Sequence, residues 1–179
     1  TVIPYFLNFI NKIPNINKLA KVKNEKLMRY WEGLGYYSRA RNLKNTAVKI
    51  LKEYNGRLPS TIEELKALPG IGDYTSRAIM AIALNKKIIP LDGNVERIIK
   101  RVFYLRKEDE ISKEYINNKI HFFGTSNRSS DYAQAIMEIG AIVCKPNNPL
   151  CKQCPIVKYC ISFKKNDFVI KSKNKFNKT

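Results

Sequence analysis

No run of residues in this chain is apolar for long enough to cross a bilayer as a helix. Its opening, TVIPYFLNFINKIP, carries neither a basic leader region nor a small-residue cleavage site. These absences predict a cytoplasmic protein. The period-two alternation of a half-buried strand is also missing, as is any internal repeat, which leaves a chain built from helices. Acidic residues are few: 15 against 33 lysines and arginines, for a net charge of +18. That balance fits a polyanionic partner, most often nucleic acid. It also fits a lysine-, isoleucine- and asparagine-rich composition in which many lysines are simply solvated. Hydrophobic residues make up 44% of the 179 residues, enough for a buried core in one domain or two small lobes.

The apolar residues that are present recur at helical spacing. Asn24 is placed to cap a short helix carrying Leu27, Met28 and Trp31, which ends at Gly33 and Gly35. Ser38 starts a helix with Ala40, Leu43, Ala47, Ile50, Leu51 and Tyr54 on one face, stopped by Asn55 and Gly56. Ser60 and Glu63 form a capping-box pattern ahead of IEELKAL. Further helices follow the turn at Gly70 and Gly72, start at Asp92 with Val95, Ile98, Ile99, Val102 and Phe103 on one face, and cover roughly 112–123 and 130–143. The final stretch, FKKNDFVIKSKNKFNKT, loses periodicity and reads as a basic tail or linker.

All four cysteines lie in CKPNNPLCKQCPIVKYC, as Cys144, Cys151, Cys154 and Cys160 with spacing C-x6-C-x2-C-x5-C. Such clustering in a cytoplasmic chain favours metal binding over disulfides. Zinc ribbons pair two C-x2-C knuckles, and here there is one. Four thiolates wrapped by Pro146, Pro149 and Pro155 also suit a [4Fe–4S] cluster, and spacing leaves both metals open. Lys145, Lys152 and Lys158, threaded through the loop, either balance its negative charge or contact phosphate.

The stretch LPGIGDYTSRAIMAIAL raises a separate question, because Gly70 and Gly72 stand two apart where a turn gives way to an apolar helical pattern. A dinucleotide fingerprint needs a preceding strand and a third glycine, but a helix precedes and position 75 is Thr75. The Gly-Lys-Ser/Thr of a P-loop is absent. What remains is a helix, a hairpin and a helix, with glycines that let backbone N–H groups face outward to a phosphate, or else an ordinary tight turn. Further along, IIPLDGNVERII puts Asp92 at a helix N-cap, where first-turn N–H groups and the positive helix end favour its ionised form. Asp92 is therefore either a structural cap or a fixed anion beside a developing positive charge, such as the oxocarbenium-like sugar of N-glycosidic cleavage.

Taken together, the LPGIG hairpin, the aspartate in DGNV and the C-x6-C-x2-C-x5-C loop resemble the helix-hairpin-helix DNA glycosylases, the group that includes endonuclease III. The resemblance covers about residues 1–160. It implies an all-α fold of two helical lobes, expected over 1–90 and 91–160, with 161–179 a linker to an absent C-terminal Nudix-like domain. It further implies a [4Fe–4S] cluster on Cys144, Cys151, Cys154 and Cys160. Three stretches, VIPYF, GLGYYSRARNL and LDGNV, are most similar to MutY-type adenine glycosylases, which remove adenine mispaired with 8-oxoguanine or guanine in duplex DNA. Bifunctional relatives place a nucleophilic lysine just after the hairpin. Here that position is Tyr74, with no lysine in the helix before Lys86, which implies base removal without efficient strand cleavage.

Carried over residue by residue, Asp92 stabilises the sugar cation, with Tyr74 and Asn94 beside it. Gln134 reads the adenine edge. Tyr36, with Leu34 near it, wedges into the base stack. Gly70, Gly72 and Lys145 hold the DNA backbone. The expected protein is a monomer on double-stranded DNA in the bacterial cytoplasm, associated with the nucleoid. Trp31 and His121 are expected to be structural.

Two departures from the family pattern qualify this reading. The family glutamate that protonates the leaving adenine stands about ten residues upstream of the position matching Thr1, in an E-x-M-L-Q-Q-T-type helix, and general acids typically contribute 10²–10⁴-fold. Glu32 and Glu138 do not stand in that motif. In addition, Asp73 and Arg77 replace small or basic residues common around the hairpin. The alternatives are an endonuclease III-type pyrimidine glycosylase with lyase activity, a catalytically dead DNA-binding fragment and a zinc-bearing binding module.

Overall fold

The computed structural model describes residues 2–106 and 112–168, and all regular structure among them is helical. The basic tail from 169 onward lies outside the described residues. None of these helices is long and apolar enough to cross a membrane. The chain divides into two compact units, Thr1–Ser76 and Arg77–Thr179. The boundary expected from sequence, at 90/91, lies further along the chain.

The N-terminal unit begins with α1 (Ile3–Lys12), α2 (Ile16–Lys21), α3 (Asn24–Trp31) and α4 (Ser38–Glu53). Pro4 sits in the first turn of α1, where its missing N–H removes no helical bond. Asn15 caps α2, accepting from the Lys18 N–H at 3.0 Å. The expected cap at Asn24 is not formed: Lys23 takes the N-cap position, with no side-chain cap bond, and the Asn24 side chain accepts from Lys44 Nζ instead. Ile13, Leu27 and Ala40 form the buried centre, joined by Phe9, Leu19 and Trp31. Phe9 and Trp31 meet edge to face at 5.8 Å. After α4, Asn55 and Gly56 turn the chain in left-handed conformations, as their residue types allow.

Next comes α5 (Ile62–Lys66), whose N-cap is Thr61, one residue later than the Ser60/Glu63 pattern. Thr61 accepts from the Glu64 N–H and donates its hydroxyl to the Glu64 carboxylate. Both Ser60 and Thr61 are good caps, and with Thr61 in that place Leu65 is fully buried. A loop leads to α6 (Asp73–Ala78), and the division between units falls within this helix, after Ser76.

In the C-terminal unit, α6 runs on into a wide π-helical turn, Ile79–Ala83, which packs against α9 (Ser129–Glu138). Before α9 come α7 (Gly93–Val102) and α8 (Lys113–Ile120). A second π-helical turn, Ile139–Val143, leads into the cysteine loop, and α10 (Ile161–Lys164) follows it. Ile89, Val95, Ile98, Ile99, Val102, Ile116 and Ile136 make the core, with Cys144 and Cys160 packed against it. The expected buried face of α7 is therefore observed, with Phe103 half-buried at its end.

Ile99 has no exposed surface. Ile99→Ala is expected to lower stability by about 2–5 kcal/mol through lost burial and the cavity left behind. The reading is the midpoint of a urea melt followed by circular dichroism.

Candidate functional site

The hairpin loop is held by α4. Thr46 donates its hydroxyl to the Pro69 carbonyl at 2.9 Å, and Lys49 Nζ donates to the Ala67 carbonyl at 2.9 Å. Two carbonyls at the end of α5 and in the loop are thus satisfied by side chains of another helix. Gly70 has φ +75°, and a Cβ there would lie 2.6 Å from the Asn42 side chain, so the position admits glycine alone. Gly72 faces open space. The Ile71 N–H is spent within the loop on the Leu68 carbonyl, whereas those of Gly70 and Gly72 meet no acceptor among the described residues. Asp73 lies 3.6 Å from Lys66 Nζ, which offsets its charge beside the loop. Tyr74, on α6, is 40% exposed.

Tyr36 sits between Gly33 and Gly35 on one side and α4 on the other, with φ 46° and 81% of its surface exposed. Packing at the start of α4 does not account for such a ring. Trp31 Nε1 donates to the Gly35 carbonyl of the same loop at 3.0 Å, so Trp31 is structural as expected. Leu34 is half-buried.

Asp92 caps α7. One carboxylate oxygen accepts from the Val95 N–H at 2.7 Å, and the other is 3.3 Å from Asn94 Nδ2. Asn94 is itself oriented by Arg97, whose Nη2 donates to Asn94 Oδ1 at 2.8 Å. Arg97 also donates to the carbonyls of Gly140 at 2.6 Å and Cys144 at 2.8 Å. A chain of bonds therefore runs from the carboxylate to the π-helical turn after α9 and the start of the cysteine loop. Gly140 permits it: a Cβ there would lie 2.7 Å from Asn94 Cβ and 3.0 Å from Asn94 backbone atoms.

One turn further along α7, the buried guanidinium of Arg101 reaches the same loop. It donates to the carbonyls of Lys145 at 2.6 Å and Pro146 at 2.7 Å, and lies 3.4 Å from Cys144 Sγ. Among the described residues it meets no carboxylate. The Cys160 thiol in turn points at the Arg101 carbonyl, at 3.5 Å. Cys144, Cys151, Cys154 and Cys160 line one pocket with Arg101, Ile98 and Phe163. Burial pushes the Cys151 thiol up, the other three cysteines push it the same way, and Arg101 pulls it down. Cys154 is pushed up by burial and by Cys144 and Cys160, against a lowering bond from the Ile156 backbone. No three His, Cys, Asp or Glu side chains among the described residues are arranged to hold a single metal ion. Lys145 is exposed at the rim of the loop.

Gln134 is exposed on α9, its amide donating to the Ser130 backbone and hydroxyl at 3.2 Å. His121 lies at the end of α8 and lines a separate pocket with Arg77 and Lys87. Sequence reasoning missed Arg97, Arg101 and Gly140. The available signal was the spacing of Asn94, Arg97 and Arg101, which puts all three on one face of a helix.

Because Gly140 abuts Asn94, Gly140→Ala is expected to cost about 1–3 kcal/mol by overpacking. It should also loosen the Asp92 cap, read as faster amide hydrogen exchange at Val95.

The sequence model for the HhH-GPD superfamily of base excision DNA repair proteins matches residues 1–122. An adenine DNA glycosylase of Buchnera aphidicola subsp. Schizaphis graminum is 36% identical over 174 residues, covering 94% of this chain and 49% of that one. The human adenine DNA glycosylase is 38% identical over 167 residues, covering 89% of this chain and 30% of its own length. The chain thus spans about half the length of the Buchnera relative. Among solved structures, a thermostable thymine-DNA glycosylase matches with a TM-score of 0.82 at 26% identity, over 92% of this chain and 76% of that one. A non-covalent endonuclease III–DNA complex matches at 0.75 and 25%, over 91% and 76%. The all-α architecture expected from sequence is the one these proteins have. This chain belongs to the HhH-GPD superfamily of base excision DNA repair proteins.

Proposed function

We propose that this chain is the core of an adenine DNA glycosylase, which hydrolyses the bond joining adenine to deoxyribose where adenine is mispaired with 8-oxoguanine or guanine. The observation that carries the reading is the Asp92 cap: a carboxylate fixed by the Val95 N–H and the Asn94 amide, with Asn94 braced by Arg97. Such a fixed anion stabilises the positive charge that grows on the sugar as the base departs, at little reorganisation cost. A general acid delivers a proton to adenine, which leaves as the neutral base, and water adds to the sugar and gives up a proton, leaving an abasic site.

The other roles follow from chemistry and exposure. Gly70 and Gly72 offer two backbone N–H groups to a DNA phosphate, and Lys145 adds a charge on the same backbone. The exposed Tyr36 ring fills the gap that an extruded base leaves, with Leu34 two residues before it in the same loop. Gln134 presents an amide able to bond the adenine edge in two places. Asn94 supports Asp92 at the reacting sugar, and Tyr74 stands where bifunctional relatives carry a lysine, so the product is an unbroken strand with an abasic site. The protein works as a monomer on nucleoid DNA.

Cys144, Cys151, Cys154 and Cys160 would hold a [4Fe–4S] cluster. The four thiols line one pocket, as four-thiolate ligation requires, and the single C-x2-C knuckle differs from the paired knuckles of zinc ribbons. The buried Arg101, lacking a carboxylate partner among the described residues, favours a net negative group beside it. When bound, the cluster would fasten four points of the loop through thiolate ligation. In this setting Arg97 and Arg101 tie that loop to the helix that starts at Asp92.

Single-turnover release of adenine from an A:8-oxoguanine duplex, read as alkali-labile sites, tests the reading. The parent chain is expected to release adenine, and Asp92→Asn to slow release by at least about 10²-fold, the scale of losing one preorganised electrostatic group. Duplex binding should be retained. Release that Asp92→Asn leaves unchanged, or nicking of an oxidised-pyrimidine duplex without added alkali, would refute it. Binding without release by the parent would leave a DNA-holding protein in its place.

A further inference from the structure

We infer that a lysine-lined groove in the N-terminal unit is a second site for the phosphate backbone of duplex DNA, separate from the hairpin. The inference rests on the reading that this protein acts on DNA and concerns a surface to which that reading gives no role. The groove is formed by the end of α1, by α2 and by the start of α3, and Lys12, Lys18, Lys21, Lys23 and Lys26 line it. It shares no residue with the hairpin, the Tyr36 loop or the cysteine loop.

No aspartate or glutamate lines this groove, and none of the five lysines forms an ion pair among the described residues. Glu25, in the first turn of α3, does not line it. Helix electrostatics explains part of the cluster. Lys12, Lys18 and Lys21 stand in the last turns of α1 and α2, where the negative helix end favours cations. Lys23 and Lys26 have no such reason, since they occupy the cap and first turn of α3, where the positive helix end disfavours them. Five ammonium groups facing one groove also repel one another, which works against the compact state.

A polyanion seated in the groove relieves both penalties and releases its own condensed counterions. The residue type narrows the ligand further. Lysines are flexible point charges without the planar fork that reads a base edge or clamps a single phosphate, so they suit a run of backbone phosphates of any sequence. The site would hold undamaged flanking or neighbouring duplex, raising non-specific affinity without entering the chemistry.

The experiment measures binding of an undamaged duplex across a potassium chloride series, for the parent and for Lys12, Lys18, Lys21, Lys23 and Lys26 all changed to Gln. Neutralisation should lower the slope of log affinity against log salt by about 0.9 for each phosphate that the groove no longer neutralises, hence by about 3 or more, and weaken binding at least about 10-fold at physiological salt. A matched variant with Lys52, Lys86, Lys87, Lys164 and Lys165 changed to Gln should lose much less. The double change Lys23→Gln and Lys26→Gln should lower the slope by about 1–2. It should leave the melting temperature unchanged or higher, because it removes cations from the wrong end of a helix.

An unchanged slope would overturn the inference. Equal losses in the two five-lysine variants would overturn it too, by reducing the effect to net charge. A groove variant that loses binding to a structured RNA but not to duplex DNA would assign the surface to RNA instead. Running the series in an Asp92→Asn background separates this inference from the proposed chemistry. A slope change there, with no adenine release by the parent, would keep the groove and dismiss the glycosylase reading.

Discussion

Arg97 makes the bonds on which the C-terminal unit depends. Its guanidinium reaches Asn94, Gly140 and Cys144 at once, so one planar fork joins the first turn of α7, the π-helical turn after α9 and the start of the cysteine loop. Hydrogen bonds from a charged group are worth about 1.5–3 kcal/mol each, enough to hold Asn94 in one orientation. Asn94 then offers its amide to Asp92. Gly140 is a condition of this arrangement, because any side chain there would push Asn94 away. Arg101 repeats the device one turn on, with the Lys145 and Pro146 carbonyls as its partners. The carboxylate and the cysteine loop are thereby attached to a single helix.

The hairpin obeys a similar logic in the N-terminal unit. Its sharp turn depends on Gly70, and Thr46 and Lys49 of α4 satisfy carbonyls that the turn would otherwise leave bare. With those acceptors occupied, the N–H groups of Gly70 and Gly72 remain as donors. Both candidate contacts with DNA thus come from backbone or short side chains positioned by other helices. Such positioning avoids the entropy of ordering long side chains.

How much of this was legible in the sequence depended on the range of the interaction. The Asp92 cap, the buried face of α7 and the Asn55–Gly56 stop are local, and all three appear as expected. The capping box at Ser60 failed because Thr61 next to it is an equally good cap, and the cap at Asn24 failed because its side chain is taken up by Lys44 from α4, a partner twenty residues away. Arg97 and Arg101 share a helix face with Asn94, but the carbonyls they bond lie more than forty residues away on the chain and were not legible. Gly140 looked like any helix glycine until Asn94 was found against it. The two π-helical turns, Ile79–Ala83 and Ile139–Val143, left no mark in apolar periodicity, because each continues a helix by only one turn.

The central claim is that Asp92 is placed to meet a positive charge on the sugar. It is tested most directly by comparing the affinity of two duplexes that differ at one site opposite 8-oxoguanine. One carries a cationic pyrrolidine mimic of the sugar, the other a neutral tetrahydrofuran of the same shape. A site complementary to the transition state binds the charged mimic more tightly, by at least about 10-fold, and Asp92→Asn abolishes the preference. Equal affinity for the two mimics, or a preference that survives Asp92→Asn, would contradict the account and leave Asp92 as a helix cap alone.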